Sequence, residues 1–330
     1  MNSKIISVVT GASGFVGSHL VDFLLSKDHH VKCLLRSTSS KKWLEGKPVE
    51  IINSGLFDKN SLREVLKDAD YLFHVAGVVK AKTEEEYYNG NVETTKSLLD
   101  VVLEVNPKIK RVMILSSQTA CGPSLNGKPC TEETLEHPIT RYGKSKFQQE
   151  QLAKKYMDKL PITIIRPPAV YGPRDTEIYL VFKTYKYGLM TLIGFDEKLL
   201  NLVYVDDLIN GTYLAAVSEK AIGQIYFIGT QEYYSWPQVG DAIAKAIGKK
   251  ALNIRFPHWL VYTVAAFAQL FAMFGKKAAT FNIEKARDFV QQHWTCDVSK
   301  AVNELGFKQQ FSLDESIKST IGWYREMKWL

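Results

Sequence analysis

The chain has 330 residues, of which 45% are hydrophobic and 23% are charged, and its formal net charge is +7. The length predicts one large domain that carries a smaller one, and the apolar fraction excludes a disordered chain. Lys and Arg are scattered among acidic residues, which favours a solvated basic surface over a nucleic-acid-binding face. No charged segment followed by an apolar one precedes the first predicted strand, so we expect a cytoplasmic protein.

The four cysteines show neither a CxxC pair nor the spacing of metal ligands. We therefore expect free thiols in a reducing compartment and no bound metal. The cysteines are Cys33, Cys121, Cys130 and Cys296.

Residues 5–25 predict a buried strand, a glycine turn and a helix in direct succession. The turn is Thr10–Gly17, with the sequence TGASGFVG. Gly11 would permit the tight turn, Gly14 would admit a pyrophosphate, and Gly17 would let the helix pack closely on the strand. The alternative is a strand-to-helix turn without a ligand. We predict that a dinucleotide lies against this turn and the first helical N–H groups. The predicted contacts are with Gly11, Ser13, Gly14, Phe15, Val16 and Gly17.

Arg36 ends the second predicted strand, 30–36, where this fold often has an acidic residue. An acid at this position hydrogen-bonds the ribose 2′-hydroxyl, whereas a base suits a 2′-phosphate. Arg36 therefore favours NADP(H) over NAD(H), and NAD(H) stays open as the cofactor. The alternative is an arginine that simply faces solvent.

Strands and helices continue to alternate through the first half of the chain. Asp58 starts a helix as an acidic N-cap, the fourth strand ends in the small residues Ala76 and Gly77, and the fifth strand is followed by Ser116 and Ser117. Further predicted strands cover 49–52, 71–77, 110–115 and 162–166, and a predicted helix covers 84–105. This alternation predicts an α/β fold of the Rossmann type, a doubly wound parallel sheet whose ligands bind outside the carboxyl ends of the strands.

Beyond Gly172 the alternation becomes irregular, and helical patterns then dominate. We predict a dinucleotide-binding Rossmann domain over residues 1–173, which strands near 200–230 also join. A smaller, mainly helical C-terminal substrate domain would comprise 174–199 and 231–330.

Tyr142 and Lys146 are four residues apart in a predicted helix, so their side chains share one face. A nearby ammonium favours the phenolate and would lower the pKa of the phenol from its free value of about 10. Tyr142 would then act as an acid and base near neutral pH. Ser117 would donate a hydrogen bond to a substrate oxygen. The alternative is a surface tyrosine beside a surface lysine, which leaves their combination with the glycine turn unexplained.

Together these motifs resemble the extended short-chain dehydrogenases/reductases of the NAD-dependent epimerase/dehydratase type. The similar segments, with the family patterns, are Thr10–Gly17 (TGxxGFxG), Asn91–Thr95 (NVxGT), Ser116–Gly122 (SSxxVYG), Tyr142–Lys146 (YxxxK), Arg166–Pro173 (RPxxVYGP) and Val205–Asp207 (VxD). They follow the family's order and cover nearly the whole chain.

The resemblance implies a role for each catalytic residue. Tyr142 would donate or accept the proton, Lys146 would also bind the nicotinamide ribose, and Ser117 would orient the substrate oxygen. Asn91 would support the site. The resemblance also implies a homodimer through the helices that hold 92–102 and 142–153.

The cofactor site that the resemblance implies extends beyond the glycine turn. Backbone around Pro167 to Val170 would hold the carboxamide of the nicotinamide. The remaining predicted cofactor contacts are with Arg36, Asp58, Ala76, Gly77, Ser116, Tyr142, Lys146, Pro167 and Val170.

Three positions depart from the family pattern. Ser54-Gly55-Leu56 replaces a GDL segment whose acid contacts adenine, so that contact falls to Asp58, to backbone or to nothing. Cys121 replaces the tyrosine of VYG. Leu200 stands where nucleotide-sugar members have an arginine for the diphosphate, and a leucine cannot bind a diphosphate. The last departure argues against a sugar-nucleotide substrate.

The segment 256–275 contains no formally charged residue and is rich in aromatic side chains. Three interpretations stay open: a buried helix that lines a hydrophobic pocket, an interfacial helix on a membrane, and a membrane span. The aromatic residues are Trp259, Tyr262, Phe267, Phe271 and Phe274.

The sequence therefore predicts an NADP(H)-preferring oxidoreductase that transfers a hydride between the nicotinamide and a hydrophobic ketone or secondary alcohol. Steroids, flavonoids and long-chain keto-lipids are the substrate classes that the family resemblance implies. The first alternative is a nucleotide-sugar epimerase or dehydratase with tightly bound NAD, and the second is a non-catalytic NADP(H) sensor or assembly subunit.

Overall fold

The computed structural model describes residues 4–273 and 281–330. The end of the apolar segment, with Phe274 and Gly275, lies outside the described residues. In the first half of the chain the elements are β1 (Ile6–Thr10), α1 (Phe15–Ser26), β2 (His30–Leu35), β3 (Glu50–Asn53), α2 (Lys59–Leu66), β4 (Tyr71–His74), α3 (Glu84–Tyr88), a π-helical turn (Asn89–Glu93), α4 (Thr94–Val105), β5 (Arg111–Leu115), α5 (Gln118–Cys121), α6 (Arg141–Lys154) and β6 (Ile162–Arg166).

The second half has shorter strands between its helices. Its elements are β7 (Ala169–Tyr171), α7 (Tyr179–Lys186), β8 (Leu189–Ile193), β9 (Leu199–Leu200), β10 (Leu202–Tyr204), α8 (Val205–Val217), a 3-10 turn (Glu219–Ala221), β11 (Ile225–Phe227), β12 (Tyr234–Ser235), α9 (Trp236–Ile247), β13 (Leu252–Phe256), α10 (His258–Met273), α11 (Ile283–Val290), β14 (His293–Trp294), α12 (Ser299–Leu305) and α13 (Leu313–Glu326).

The central sheet has the strand order β11-β6-β5-β4-β1-β2-β3, and all its neighbouring strands are parallel. The chain runs outward from β1 to β3 on one side and from β4 to β6 on the other. The loops after β1 and β4 therefore flank a crevice at the carboxyl edge of the sheet, which is where such folds bind ligands. The predicted Rossmann-type α/β fold is confirmed.

Helices cover both faces of this sheet because its strands are apolar on both sides. Val8 and Val9 are consecutive in β1 and fully buried, yet they belong to different hydrophobic clusters. One cluster contains Leu20 of α1 and Ile209 of α8, and the other contains α2, α4 and α6 side chains such as Leu98. Continuous apolar strands of this kind are typical of parallel sheets.

Two later strands were expected to join the main sheet, and one of them does. Ile225–Phe227 pairs with β6 at the edge of the main sheet, whereas Leu202–Tyr204 pairs with β7 in a separate two-stranded sheet. Two more small sheets, β12-β9-β14 and β13-β8, lie in the C-terminal half. Within the two described ranges, no helix combines the length and the apolar content that crossing a bilayer requires.

Candidate active site

The glycine turn after β1 leaves no room for a side chain at two positions. Gly11 has a φ of +70°, and a Cβ there would lie 2.7 Å from the backbone nitrogen of Ala76. A Cβ on Gly17 would lie 2.1 Å from the carbonyl oxygen of Gly11, because the start of α1 packs directly on the turn.

Gly14 is the exposed N-cap of α1 and provides no side-chain cap. The N-cap residue therefore offers no side-chain acceptor to the first N–H groups of this 12-residue helix. These N–H groups also lack backbone acceptors within the helix. Such an N-terminus attracts phosphate. Together with the two crowded glycines, this geometry fits a dinucleotide at the position that the sequence predicts.

Arg36 and Asp58 are both predicted to contact the adenosine part of the cofactor, and the structure places them differently. Arg36 follows β2 directly and is exposed, and β2 lies beside β1 with Leu34 paired to Thr10. Arg36 thus lies at the same edge of the sheet as the glycine turn. Asp58 instead caps α2, where its Oδ1 accepts a hydrogen bond of 3.2 Å from the backbone nitrogen of Ser61.

Three residues predicted to contact the cofactor lie farther along the chain, and two of them form hydrogen bonds within the protein. The Ser116 hydroxyl donates a hydrogen bond to Glu150, which is fully buried. The carbonyl of Pro167 accepts from Gln118 N at 2.8 Å. Val170 lies in β7, outside the central sheet, and is only partly buried.

Ser117 and Tyr142 meet at the carboxyl end of β5. Ser117 caps α5, and its oxygen accepts hydrogen bonds from Thr119 N at 3.2 Å and Thr119 Oγ1 at 2.9 Å. A hydroxyl accepts two hydrogen bonds and donates one, so the proton of Ser117 is left to donate. It donates to the Tyr142 phenol oxygen, and this contact opposes the rise in the pKa of Tyr142.

Burial of the phenol raises the pKa of Tyr142 to about 12, and the Ser117 hydrogen bond offsets only part of that rise. The expectation that Lys146 lowers this pKa is therefore wrong for this structure. Desolvation disfavours the charged phenolate, and the ammonium of Lys146 is directed elsewhere. Tyr142 is consequently a protonated phenol at neutral pH, which is the form that can give a proton to an alkoxide.

The ammonium of Lys146 donates two hydrogen bonds inside the protein. Its Nζ lies 2.7 Å from the carbonyl oxygen of Leu115 and 2.7 Å from Oε1 of Gln149. Burial lowers the pKa of Lys146 to about 8, with Glu150 acting in the opposite direction. An ammonium has three protons, so one is left for a group in the site.

Gln149 is itself held by a buried hydrogen-bond network. Its Nε2 donates to Thr95 Oγ1 at 2.7 Å, and His74 Nε2 lies 2.8 Å from the same oxygen. The single hydroxyl proton of Thr95 goes to the carbonyl of Asn91 at 2.6 Å. Thr95 must therefore accept from both His74 and Gln149, and this fixes the orientation of the Gln149 amide toward Lys146.

The network ends beside the glycine turn. Burial lowers the pKa of His74 to about 3, so its ring is neutral. Because Nε2 carries the proton, Nδ1 accepts from Thr10 Oγ1 at 2.8 Å. Thr10 in turn accepts from the backbone nitrogen of Ala76 at 3.1 Å. Hydrogen bonds thus connect the end of β1 to the catalytic helix α6.

Asn91 is fully buried in the π-helical turn and joins two parts of the site. Its side chain exchanges hydrogen bonds with the backbone of Val78, at 2.7 and 3.1 Å, and donates to Ser145 Oγ at 2.8 Å. A Cβ on Gly77 would lie 3.1 Å from Asn91 Oδ1 and 3.6 Å from Lys146 Nζ. The structure therefore brings Gly77, Asn91 and Lys146 together.

Two residues near the phenol were missed by the sequence analysis. The rings of Tyr87 and Tyr142 are 6.3 Å apart, and the carboxylate of Asp288 in α11 also raises the pKa of Tyr142. Burial raises the pKa of Asp288 itself to about 7, and its buried Oδ1 has no hydrogen-bond partner among the described residues. No sequence motif marks Asp288. The contact between Gln149 and Lys146 could have been predicted from the sequence, because Gln149 lies one turn after Lys146 in the same helix.

Leu200, which the family resemblance aligns with the diphosphate-binding arginine, is buried in β9. β9 lies between β12 and β14, and Leu200 pairs with Tyr234 and Trp294. The neighbouring Asn201 is fully buried and accepts from Cys296 N at 2.6 Å. The side chain at position 200 is therefore apolar and buried among these strands.

Curated relatives match almost the whole chain. A ceramide reductase from Caulobacter vibrioides is 25% identical over 332 aligned positions, which cover 98% of this chain and 96% of the relative. A 3beta-hydroxysteroid-dehydrogenase/decarboxylase (isoform 1) from Arabidopsis thaliana is 24% identical, with 97% of this chain and 80% of the relative covered.

Among solved structures, UDP-glucuronic acid 4-epimerase from Bacillus cereus in complex with NAD superposes with a TM-score of 0.79. It is 23% identical and covers 98% of this chain and 99% of its own, which supports the fold. The model of the NAD dependent epimerase/dehydratase family matches residues 7–229. The chain therefore belongs to this family and is an NAD(P)-dependent oxidoreductase of the short-chain dehydrogenase/reductase type.

Proposed function

We propose that this enzyme is an NADP(H)-preferring reductase of hydrophobic ketones of the steroid or long-chain keto-lipid class. The observation that carries the substrate class is Leu200, a buried apolar residue where sugar-nucleotide enzymes of the family hold a diphosphate. Two relatives support the same class, since their names specify a ceramide and a 3β-hydroxysteroid.

In this proposal the carbonyl oxygen of the ketone replaces the Tyr142 oxygen as the acceptor of the Ser117 proton, and the Tyr142 phenol donates to the same carbonyl oxygen. A bound reduced nicotinamide would supply the hydride for the carbonyl carbon. Tyr142 gives its phenol proton to the forming alkoxide, so that hydride and proton together yield the secondary alcohol. Two internal hydrogen bonds hold the position of Lys146, and its third ammonium proton would bind the ribose of the nicotinamide nucleotide.

The substrate proposal is tested with purified protein by following NADPH oxidation on a panel of apolar ketones and, separately, on UDP- and dTDP-sugars. We expect turnover on the ketones alone. Tyr142→Phe should keep NADPH affinity but lose about a hundredfold or more in kcat, because it removes the proton donor. Activity confined to nucleotide sugars would identify an epimerase or dehydratase. No turnover on either panel would identify a non-catalytic NADP(H)-binding protein.

The NADP(H) preference is proposed from Arg36, which is exposed and makes no ion pair with another described residue. A free guanidinium at the end of β2 suits a ribose 2′-phosphate. Arg36→Ser should weaken NADPH binding about tenfold or more and change NADH binding little, as measured by fluorescence titration. Lys318→Ser, which removes an exposed cation from α13, is the matched control. An equal effect on both nucleotides would contradict the proposal.

A further inference from the structure

The helix α10 is apolar around most of its circumference, yet only one side of it packs against the protein. Val261 and Ala265 are buried and form a small cluster with Ala286 of α11. Gln269 Oε1 also accepts a hydrogen bond from Ile283 N at 3.3 Å. These contacts fix α10 on α11 and leave side chains on its opposite side exposed.

That opposite side, which we call the α10 face, exposes large apolar side chains. Trp259 is 67% exposed, Phe267 58% and Phe271 74%. Val264 and Leu270 are exposed on the same side, and the hydroxyl of Thr263 donates to the carbonyl of Trp259 at 2.9 Å. Contiguous exposed apolar surface of this kind marks a site of interaction with a membrane or a partner.

Exposed apolar residues continue beyond the helix. Phe195 is 73% exposed and lies beside the start of α10, since Gly194 N donates to Phe256 O at 2.8 Å. Leu189 and Leu252 are paired in the β8–β13 sheet and are both exposed. They lie on the side of that sheet that also bears Ile193 and Phe256, because side chains alternate along a strand.

The chain that carries the α10 face is rich in cations, and the nearest acid at its start, Asp196, lies 3.5 Å from His258 and is paired with Lys198. From Ala242 to Ile283 the sequence contains no Asp or Glu. Among the described residues of the same stretch, Lys249, Lys250 and Arg255 are exposed cations. Aromatic and aliphatic side chains framed by cations are complementary to the surface of an anionic bilayer.

The α10 face is also close to the active site. Through α11 it is connected to the start of α6, where Arg287 Nη1 donates to Ile139 O at 3.0 Å and Arg141 N donates to Glu284 Oε2 at 2.5 Å. Tyr142 follows Arg141 directly. Two helices, α10 and α11, would thus separate a membrane under the α10 face from the start of α6, which carries the catalytic tyrosine.

We propose that the α10 face lies in the interfacial region of an anionic lipid bilayer and holds the enzyme there as a peripheral protein. One side of α10 packs on α11 and the other exposes apolar side chains along its described length, so the helix would lie along the surface of the bilayer. The surface contact is independent of which substrate the active site takes.

The test is flotation of the purified full chain with vesicles of phosphatidylcholine alone and with vesicles that also contain phosphatidylglycerol. We expect binding to the anionic vesicles, reduced by added salt. The double variant Phe267→Glu/Phe271→Glu should bind the anionic vesicles about tenfold more weakly or worse. The matched control is Phe57→Glu/Leu135→Glu, which alters two apolar residues that are exposed elsewhere, and it should bind as the unmodified chain does. Unchanged NADPH affinity shows that each variant is folded.

Three results would overturn the proposal. The chain does not float with either vesicle, the double variant floats as well as the control, or binding is equal on both vesicle types. Light scattering provides a further result that would overturn the proposal. If the unmodified chain is a dimer that does not bind vesicles, and the double variant is a monomer, a second copy of the chain covers the α10 face.

Discussion

The position of the Lys146 ammonium depends on Gln149, a residue outside the YxxxK pattern. Gln149 is fully buried and accepts from Lys146 while it donates to Thr95. Thr95 cannot exchange these roles, because its only proton is used by the Asn91 carbonyl. We therefore regard Gln149 as a positioning residue for Lys146.

Gln149→Leu removes both of these hydrogen bonds and keeps the size of the side chain. We expect kcat to fall about tenfold or more with a smaller change in KM, because Lys146 loses its fixed position. The pKa of Lys146 should fall further, so the alkaline limb of the pH–rate profile should move to lower pH. Stopped-assay kinetics across the pH range provide the measurement.

The neighbouring Gln148 is exposed on the same helix, and Gln148→Leu is the matched control. Gln149→Glu restores an acceptor for the ammonium and should recover part of the activity. A normal pH profile in Gln149→Leu would contradict the positioning role.

Among the elements, the first turn of α1 depends most on close backbone packing. Gly17 brings the helix so near to the glycine turn that a methyl group would overlap the Gly11 carbonyl. The turn and helix must therefore separate if residue 17 carries a side chain, and the N–H groups at the helix start would move with them.

Gly17→Ala should weaken NADPH binding about tenfold or more and lower the free energy of unfolding by about 1–3 kcal/mol, because the backbone must shift. Gly322→Ala is the control, since a Cβ there meets no atom within 4 Å in α13. It should leave NADPH binding unchanged and raise stability by up to about 1 kcal/mol through helix propensity. Titration and urea unfolding measure both effects. Normal NADPH affinity in Gly17→Ala would show that this packing is not needed for the cofactor.

The π-helical turn between α3 and α4 is the second element that matters for the site. The sequence predicts one helix over 84–105, and the structure interrupts it with this turn at Asn89–Glu93. Such turns insert one residue into a helix and are frequent at functional sites. Here the turn holds Asn91, which is fully buried and bonded to both Val78 and Ser145.

For the whole molecule, the neutral His74 links stability to pH. In the unfolded chain a histidine titrates near its usual pKa of about 6.5, whereas burial keeps the pKa of His74 at about 3. Between these values the unfolded state binds more protons, so stability falls as the pH falls. Buried carboxyls such as Asp207, whose pKa is raised to about 6 by burial, act in the opposite direction.

The contribution of His74 is separated by comparing the native chain with His74→Asn in urea unfolding at about pH 7.5 and about pH 5. The native chain should lose about 2 kcal/mol more than the variant over this interval, because only its unfolded state gains the proton. The carboxyl groups are common to both proteins and cancel in this difference. Equal pH dependence of the native chain and His74→Asn would mean that His74 is charged in the folded protein.

The sequence by itself determined the features that depend on neighbouring residues. The glycine turn, the alternation of strands and helices, and the spacing of Tyr142 and Lys146 all rest on contacts within a few residues, and the family match confirms the fold that they predict. Ser117 could be assigned to the same site as Tyr142 from the order of the motifs and their resemblance to the family pattern.

Only the tertiary structure decided the features that join distant parts of the chain. It placed Asp288 near Tyr142, directed Lys146 to Gln149, paired β8 with β13, and left one side of α10 exposed. It also reversed the expected shift in the pKa of Tyr142, because burial depends on every element packed around the phenol. Local spacing shows which side chains share a helix face, but desolvation and long-range pairing follow only from the packing of the whole chain.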